Sequence, residues 1–438
     1  MARRRPVLSG RWRRLSFSET MANPGARLYA IVLGAGLLGG CIGAAYLAAL
    51  HLLQRVLWPT HSGLLAHGIL LVVVGVLVGV LTRALGSPGD VELLVDNIHV
   101  AGGAEDLKQL PSLIPISLLC VATGGGLGPE APLVQTTGTV GSWAASRMRL
   151  DAAGMRVVTI TGMAAGFTVL FGAPLGSALF ALEILHRRGL EYYEALMPAV
   201  LGSLTGYGIY VLVSGAGIKP VWTLPPVGTV HHADLLWALG CGVVGALIAT
   251  SFTYLNQLLR ALFRRVPPLW RPPIAGLALA LLACASPYAL TFGEAQLGHV
   301  VTSDLALRTL LLAVVAKLLG SSVTLSGGWK GGLIIPLFFM GACLGEAGHI
   351  LFPSTNQAVL IAALMAACNV GVTKTPLGSV LVVTEMAGLR LLPTTLIASV
   401  VALILTSNIG LIDSQRRRAD TVPLEDEASD TDADERPG

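Results

Sequence analysis

Long apolar stretches with almost no charged side chains recur along this chain, and they constrain its fold more than any other feature. Two of them, Leu28 to Trp58 and Leu64 to Leu85, are long enough to cross a bilayer. Of the 438 residues, 53% are hydrophobic and 12% are charged. Such a composition predicts an integral membrane protein with many spans. Since alternating ten-residue strands are absent, we expect an all-α fold rather than an outer-membrane barrel.

Other apolar pieces are too short to cross alone. They are Glu92 to Val100, Pro111 to Ala122 and Ala131 to Ser146, after which Ala153 to Ile184 and Glu194 to Ser214 complete a first half. Short pieces interrupted by glycine or proline are tolerated at membrane depth only inside protein or beside a cavity. They predict broken, partly spanning helices and indicate a transport site.

A glycine-rich run, Gly124 to Gln135, places one carboxylate, Glu130, at membrane depth. A helix is expected to begin at or near Pro129, with its positive end inside the membrane. Such an end holds anions, so Glu130 would compete with them for the same position. The alternative is a first-turn carboxylate that only stabilises the helix. An ionisable group at this depth favours the functional interpretation.

The chain contains an inverted repeat. Arginines precede Leu28 to Trp58, whereas they follow Asp234 to Phe263, so the two long helices are predicted to cross in opposite directions. Pro-Leu-Gly-Ser occurs at 174–177 and at 376–379, and a glutamate follows each proline by nine residues, at Glu183 and Glu385. The glycine-rich run also has a partner at 326–337. Two such breaks in inverted halves bring helix N-termini to one point.

These features predict the domain organisation. A basic cytoplasmic segment (1–27) precedes the first repeat (28–214), an external linker (215–232), the second repeat (233–414) and a charged, disordered tail (415–438). Both termini are expected to be cytoplasmic, in a multi-pass protein of the cell inner (plasma) membrane.

The motifs resemble those of the CLC family of chloride channels and chloride/proton antiporters, over roughly residues 28 to 415. The run 128–135 resembles Gly-Arg-Glu-Gly-Pro-x-Val-Gln, which implies that Glu130 is the gating glutamate and that Gly128 and Ala131 flank an anion position. The run 331–336 resembles Gly-Gly-Ile-Phe-Ala-Pro, which implies that the backbone amides of Leu333 and Ile334 bind the central anion.

A third motif matches only in part. Gly86-Ser87 resembles the start of Gly-Ser-Gly-Ile-Pro, which implies that Ser87 contacts chloride. Alternatively, Ser87 and Asp90 cap a helix. Lys330 and Lys374 are expected to reach water from helix ends, the alternative being that they draw anions into a vestibule.

The departures from the family pattern concern protons and the inner gate. Alignment places Ile184 where antiporters have an inner glutamate, and Ile412 where a tyrosine usually contacts chloride. Glu183 matches another acidic position near the proton entrance, so it is a candidate for the proton pathway together with Glu130. Because Glu385 repeats it in the other half, a structural role at helix ends is the alternative.

The resemblance implies anion transport, with chloride as the first candidate, gated by a glutamate and with weak or absent proton coupling. Open alternatives are a proton-coupled chloride antiporter, a fluoride-selective member, and a cation-coupled carboxylate transporter in which Glu130 and Glu183 bind sodium or protons. A homodimer in a lipid bilayer is implied. Since no His-Glu-x-x-His or Gly-x-Ser-x-Gly motif occurs, we expect no enzyme activity, and no cofactor, metal or nucleic acid.

Overall fold

A computed structural model describes residues 24–58, 63–89, 98, 107–186, 192–214, 224–411 and 415. The regular structure of this part is helical. The first half contains α1 (Pro24–Leu57), α2 (Leu64–Leu85), α3 (Leu110–Ala122), α4 (Glu130–Arg147), α5 (Ala152–Phe171), α6 (Pro174–Glu183) and α7 (Leu196–Ser214). The second half contains α8 (His232–Phe263), α9 (Arg271–Ala285), α10 (Glu294–Thr302), α11 (Leu307–Ser326), α12 (Ile334–Leu351), α13 (Gln357–Thr373), α14 (Pro376–Ala387) and α15 (Leu392–Leu405).

Eight of the described helices are long and apolar enough to cross a membrane, namely α1, α2, α5, α7, α8, α9, α11 and α12. The predicted all-α, multi-span architecture is therefore confirmed. The predicted short piece Glu92 to Val100 falls outside the described residues, apart from position 98.

The two halves repeat the same order of helices. The long helices α1 and α8 each open a half, and the pairs α4 and α12, α5 and α13, α6 and α14, and α7 and α15 follow in register. A short 3₁₀ turn precedes both α7 and α15. The repeat predicted from the sequence is thus visible in the order of the helices.

The segment predicted from Ala153 to Ile184 is divided into two helices, α5 and α6. Gly172 ends α5 in the left-handed conformation (φ 63°), and Pro174 begins α6. The second half breaks at the equivalent place, where Lys374 (φ 61°) precedes Pro376. A continuous apolar pattern does not reveal such a break, because both sides of it are buried.

Lys374 does not reach water as expected. It is 2% exposed, and its ammonium donates to the carbonyl oxygens of Gly371 (2.7 Å) and Thr406 (2.6 Å). These carbonyls lie at the C-terminal ends of α13 and α15, where backbone acceptors are left without intrahelical partners. The buried cation therefore joins two helix ends.

Glycines allow close contact between α12 and α13 in the second half. A Cβ atom on Gly345 would lie 2.5 Å from Cα of Ile361, and one on Gly341 would lie 2.5 Å from Cα of Met365. Both neighbours are backbone atoms that a side-chain rotation cannot move. The two helices can pack at this distance only with glycine at these positions.

Replacing Gly345 by alanine is expected to destabilise the fold by about 1–3 kcal/mol, because the added methyl group forces α12 and α13 apart. Gly240→Ala on α8 is the matched control, since nothing lies within 4 Å of its Cβ position. The midpoint temperature of thermal unfolding in detergent measures both. Equal midpoints for the two variants would contradict the packing argument.

Candidate functional site

The two glycine-rich breaks meet in space, as the repeat predicts. The amide of Gly128 donates to the carbonyl oxygen of Gly332 (2.9 Å), and the amide of Gly332 donates back to Gly128 (2.6 Å). This bridge joins the segment before α4 to the segment before α12. The N-termini of two helices from opposite halves are therefore held together.

Glu130 is the first residue of α4, and its carboxylate lies at the N-terminus of α12. Its side chain is 0% exposed, and Oε1 accepts a hydrogen bond from the amide of Ile335 (2.5 Å). The position is favourable for a negative charge, because the first amides of a helix have no intrahelical acceptor. The carboxylate thus occupies a place that would otherwise suit an anion.

Space for this carboxylate depends on two glycines. A Cβ atom on Gly128 would overlap Oε2 of Glu130 and lie 2.6 Å from its Cδ. A Cβ atom on Gly332 would overlap the same oxygen and lie 2.8 Å from the amide nitrogen of Ala131. Oε2 itself accepts no hydrogen bond from the described residues.

A cavity of about 130 Å³ borders Glu130. Backbone and side chains from both halves line it. The lining residues are Gly89, Leu113, Glu130, Ala131, Pro132, Val134, Gln135, Met163, Phe167, Ile184, Arg260, Leu325, Lys330, Gly331, Gly332, Leu333, Ile334, Val372, Thr373 and Leu411. The cavity is apolar over most of its wall, with a few charged groups.

Most of the predicted site residues lie together at this cavity. Ala131, Leu333 and Ile334 line it beside Glu130, and Gly128 is buried against the carboxylate. Residue 336 is a proline, which has no N–H, so the amides available at the start of α12 are those of residues 333 to 335. The Glu130 carboxylate accepts a hydrogen bond from the amide of Ile335. The sequence predicted that the other two amides, those of Leu333 and Ile334, bind the anion.

Ser87 lies apart from this group. Its side chain is exposed, and the neighbouring residue that lines the cavity is Gly89. Asp90, its partner in the helix-cap alternative, falls outside the described residues, as does Ile412. The role of Ser87 stays a prediction.

Glu183 and Glu385 form a reciprocal pair of helix caps. The carboxylate of Glu183, at the end of α6, accepts hydrogen bonds from the amides of Leu377 (3.1 Å) and Gly378 (2.7 Å) in the first turn of α14. The carboxylate of Glu385, in α14, accepts hydrogen bonds from the amides of Leu175 (3.1 Å) and Gly176 (3.4 Å) in the first turn of α6. Glu183 does not line the cavity, and its role in a proton pathway stays a prediction.

The capping geometry predicts a stability effect. Glu183→Ala is expected to destabilise the fold by about 1–3 kcal/mol for each amide that loses its acceptor, because Glu183 is 2% exposed. Glu385→Ala, in a less buried position, is expected to cost less. Thermal unfolding in detergent compares the two. A change in proton movement without a change in stability would favour the proton-pathway role.

Several lining residues were not predicted to share a cavity with Glu130, and three of them concern charge or proton transfer. Ile184 is one, and Gln415 fixes its backbone by donating to its carbonyl oxygen (3.0 Å) and to that of Thr373 (2.8 Å). The others are the basic residues Arg260 and Lys330. In the sequence Arg260 stands near the end of the second long helix, where positive-inside placement accounts for it, and no sequence signal indicates that it lines the same cavity as residue 330.

Comparison with known proteins is consistent with this geometry. A family model described as voltage gated chloride channel matches residues 75–407. The chloride/fluoride channel protein of Pseudomonas syringae pv. tomato is 28% identical over 366 residues, which cover 79% of this chain and 78% of that protein. The voltage-gated ClC-type chloride channel ClcB of Citrobacter koseri is 28% identical over 321 residues, covering 70% and 74%.

Solved structures share the fold. A CLC-type fluoride/proton antiporter superimposes with a TM-score of 0.77 at 24% identity, covering 92% of this chain and 99% of that one. A slow cyanobacterial Cl⁻/H⁺ antiporter superimposes with a TM-score of 0.75 at 21% identity, covering 87% and 96%. These proteins and this chain therefore share one fold over most of their lengths.

Proposed function

The chain belongs to the voltage-gated chloride channel (CLC) family, and from this premise we propose that Glu130 gates its anion pathway. As a family member it is a multi-pass membrane protein that transports anions. The observation that supports the gate is the hydrogen bond between the Glu130 carboxylate and the Ile335 amide, at the N-terminus of α12. A deprotonated Glu130 is then a tethered competitor of the transported anion.

Protonation of Glu130 ends the competition between its carboxylate and the anion. A neutral carboxyl group interacts less strongly with the positive end of a helix than a carboxylate does. The amides of Leu333 and Ile334, which begin the same helix and border the cavity, then bind the anion. The resulting cycle makes transport depend on pH.

Proton coupling is proposed to be weak or absent. Ile184 lines the cavity at the position that the resemblance gives to an inner proton-carrying glutamate, and an alkyl side chain carries no proton. The carboxylate of the adjacent Glu183 accepts hydrogen bonds from two amides of α14, and Glu183 does not line the cavity. The pathway would then conduct anions as a channel or a loosely coupled carrier.

Chloride is the proposed anion, and fluoride is the second candidate. The relative from Pseudomonas syringae bears the name of both anions, and one structural neighbour is described as a fluoride/proton antiporter. We further propose a homodimer in the inner (plasma) membrane with both termini in the cytoplasm, on the family resemblance and on the arginines near the chain start.

Proteoliposomes loaded with chloride test this function. Chloride efflux and internal pH are recorded together while potassium and valinomycin clamp the voltage. We expect efflux without uphill proton movement. Proton movement against its gradient would show antiport, and fluoride efflux without chloride efflux would assign the second anion. Sodium-dependent uptake of a carboxylate instead would contradict the proposal.

A further inference from the structure

Arginines collect where α8 ends and α9 begins. Arg264 and Arg265 follow α8 and are exposed, and Arg271 is the first residue of α9 and is half-buried. The guanidinium group of Arg271 donates to the carbonyl oxygens of Val266 (2.9 Å) and Arg264 (3.5 Å). Because this side chain closes the connection between the two helices, the three positive charges are held close to one another.

A fourth arginine lies nearby, at the end of α2. A Cβ atom on Gly79 would lie 2.6 Å from the carbonyl oxygen of Leu269, so α2 packs closely against the connection between α8 and α9. Arg83 follows Gly79 by about one turn, in the last turn of α2, and it is exposed. The ends of three candidate membrane spans thus present four arginines, which we call the arginine cluster: Arg83, Arg264, Arg265 and Arg271.

The segments that form the arginine cluster supply no carboxylate to balance it. The sequence has no aspartate or glutamate from 63 to 89 or from 235 to 293, which includes α2, α9 and all of α8 beyond Asp234. Guanidinium groups stay charged at physiological pH, and their planar array of N–H donors matches the oxygens of a phosphate group. The cluster is therefore suited to a phosphate that another molecule supplies.

An apolar stripe runs along α9 from the arginine cluster. Trp270, immediately before Arg271, is 57% exposed, and further exposed side chains follow at Ile274, Leu277 and Leu281. Successive members are four, three and four residues apart, which places them on one face of the helix. A tryptophan beside basic residues at the end of a span is typical of the membrane–water interface. A molecule that contacts both the cluster and the stripe has a phosphate group and a hydrocarbon chain.

We infer that the arginine cluster binds the phosphate of an anionic phospholipid in the cytoplasmic leaflet, with an acyl chain along the stripe on α9. The inference goes beyond the proposed function, because this site lies on the surface that faces lipid and not in the anion pathway. Charge complementarity favours an anionic lipid over a zwitterionic one, and the stripe favours a lipid over free phosphate. The bound lipid would contact the ends of α2, α8 and α9 together.

Quenching of tryptophan fluorescence by brominated lipids tests this inference. The full-length protein is reconstituted into vesicles of phosphatidylcholine and phosphatidylglycerol, and one of the two lipids carries bromine on its acyl chains. We expect brominated phosphatidylglycerol to quench more than brominated phosphatidylcholine at equal fractions. Because the chain has seven tryptophans, the difference between the wild type and Trp270→Phe isolates the quenching of Trp270. The excess quenching by phosphatidylglycerol should be absent from Trp270→Phe.

Paired substitutions at Arg264 and Arg265 test the role of charge. Arg264→Gln with Arg265→Gln is expected to weaken phosphatidylglycerol binding at Trp270 by about twenty-five-fold, or about fivefold for each charge lost at the membrane surface. Both side chains are exposed, and Arg271 contacts only the backbone of Arg264, so the fold should be retained. Arg264→Lys with Arg265→Lys keeps the charge but not the planar donor array, and it is expected to bind within about fivefold of wild type.

Arg308→Gln is the matched control, because Arg308 is also exposed but lies at the opposite membrane surface. It is in the first turn of α11, a candidate span. Just beyond the other end of α11, the Trp329 indole donates to the carbonyl oxygen of Pro272 (2.9 Å), beside the arginine cluster. We expect the quenching of Trp270 in this variant to equal that in the wild type.

Each outcome decides for or against the lipid. Excess quenching at Trp270 that the glutamine pair loses, and that the lysine pair and Arg308→Gln retain, supports the inference. Equal quenching by both lipids, or a glutamine pair that behaves like the wild type, overturns it. Trp270 that neither lipid quenches also overturns it, since another protein surface, such as a second copy, would then cover the stripe. Loss of the excess when inorganic phosphate is added at constant ionic strength would assign the arginine cluster to free phosphate instead.

Discussion

Glu130→Gln is expected to abolish the pH dependence of chloride efflux and to hold the rate at the high value that the wild type reaches in acid. The carboxylate occupies the N-terminus of α12 through the Ile335 amide, and only its charged form competes well with an anion there. Wild-type efflux should rise as the pH falls. Above the pKa of the group, the protonated fraction changes by about tenfold per pH unit.

Efflux from proteoliposomes over about three pH units measures this effect. Glu346→Gln is the matched control, because Glu346 is also a buried glutamate but lies inside α12, where it accepts a hydrogen bond from Gln357 (2.8 Å) and is outside the cavity lining. We expect this control to keep the wild-type profile. If chloride efflux of Glu130→Gln depends on pH as that of the wild type does, Glu130 is not the gate.

Gly128→Ala is expected to reproduce the loss of pH dependence without changing the carboxylate itself. The added Cβ atom would overlap Oε2 of Glu130 and approach Cδ and Oε1 to 2.6 Å. These three atoms belong to one flexible side chain, so we expect the carboxylate to leave its place while the backbone stays. The pathway would then remain open at high pH, as in Glu130→Gln.

The double variant Gly128→Ala, Glu130→Ala tests this interpretation. Without a carboxylate there is nothing for the new methyl group to displace, so the double variant should behave like Glu130→Ala alone. Gly332→Ala provides a contrast, because its Cβ atom would also lie 2.8 Å from the backbone nitrogen of Ala131 and should reduce stability. Additive effects of the two changes in the double variant would mean that Gly128 acts through the backbone.

Much of the fold can be read from apolar segments and from the repeated Pro-Leu-Gly-Ser motif. Helix α2 has the predicted bounds, and α4 begins one residue after Pro129, where the predicted start lay. The break at Gly172 and the burial of Lys374 were not predicted. The break lies between two buried segments, so the apolar pattern continues across it, and the acceptor that binds Lys374 at Thr406 lies 32 residues away in the chain.

The sequence indicated several residues of the candidate site but not the contacts between them. Glycine-rich motifs marked Glu130, Leu333 and Ile334, and the structure brings them to one cavity. No motif indicates that the amide of Ile335 bonds to the carboxylate, or that Arg260 reaches the same cavity from α8. Contacts of this kind arise from the packing of whole helices.

The reciprocal caps have a consequence for how such a chain can originate. The end of α6 caps α14 and the end of α14 caps α6, through the same residue type at equivalent positions. A half-length polypeptide inserted in both orientations would form both contacts with a single glutamate, as the two copies of an isologous dimer do. After gene duplication and fusion, the two contacts depend on two separately encoded glutamates, so either glutamate can change without the other.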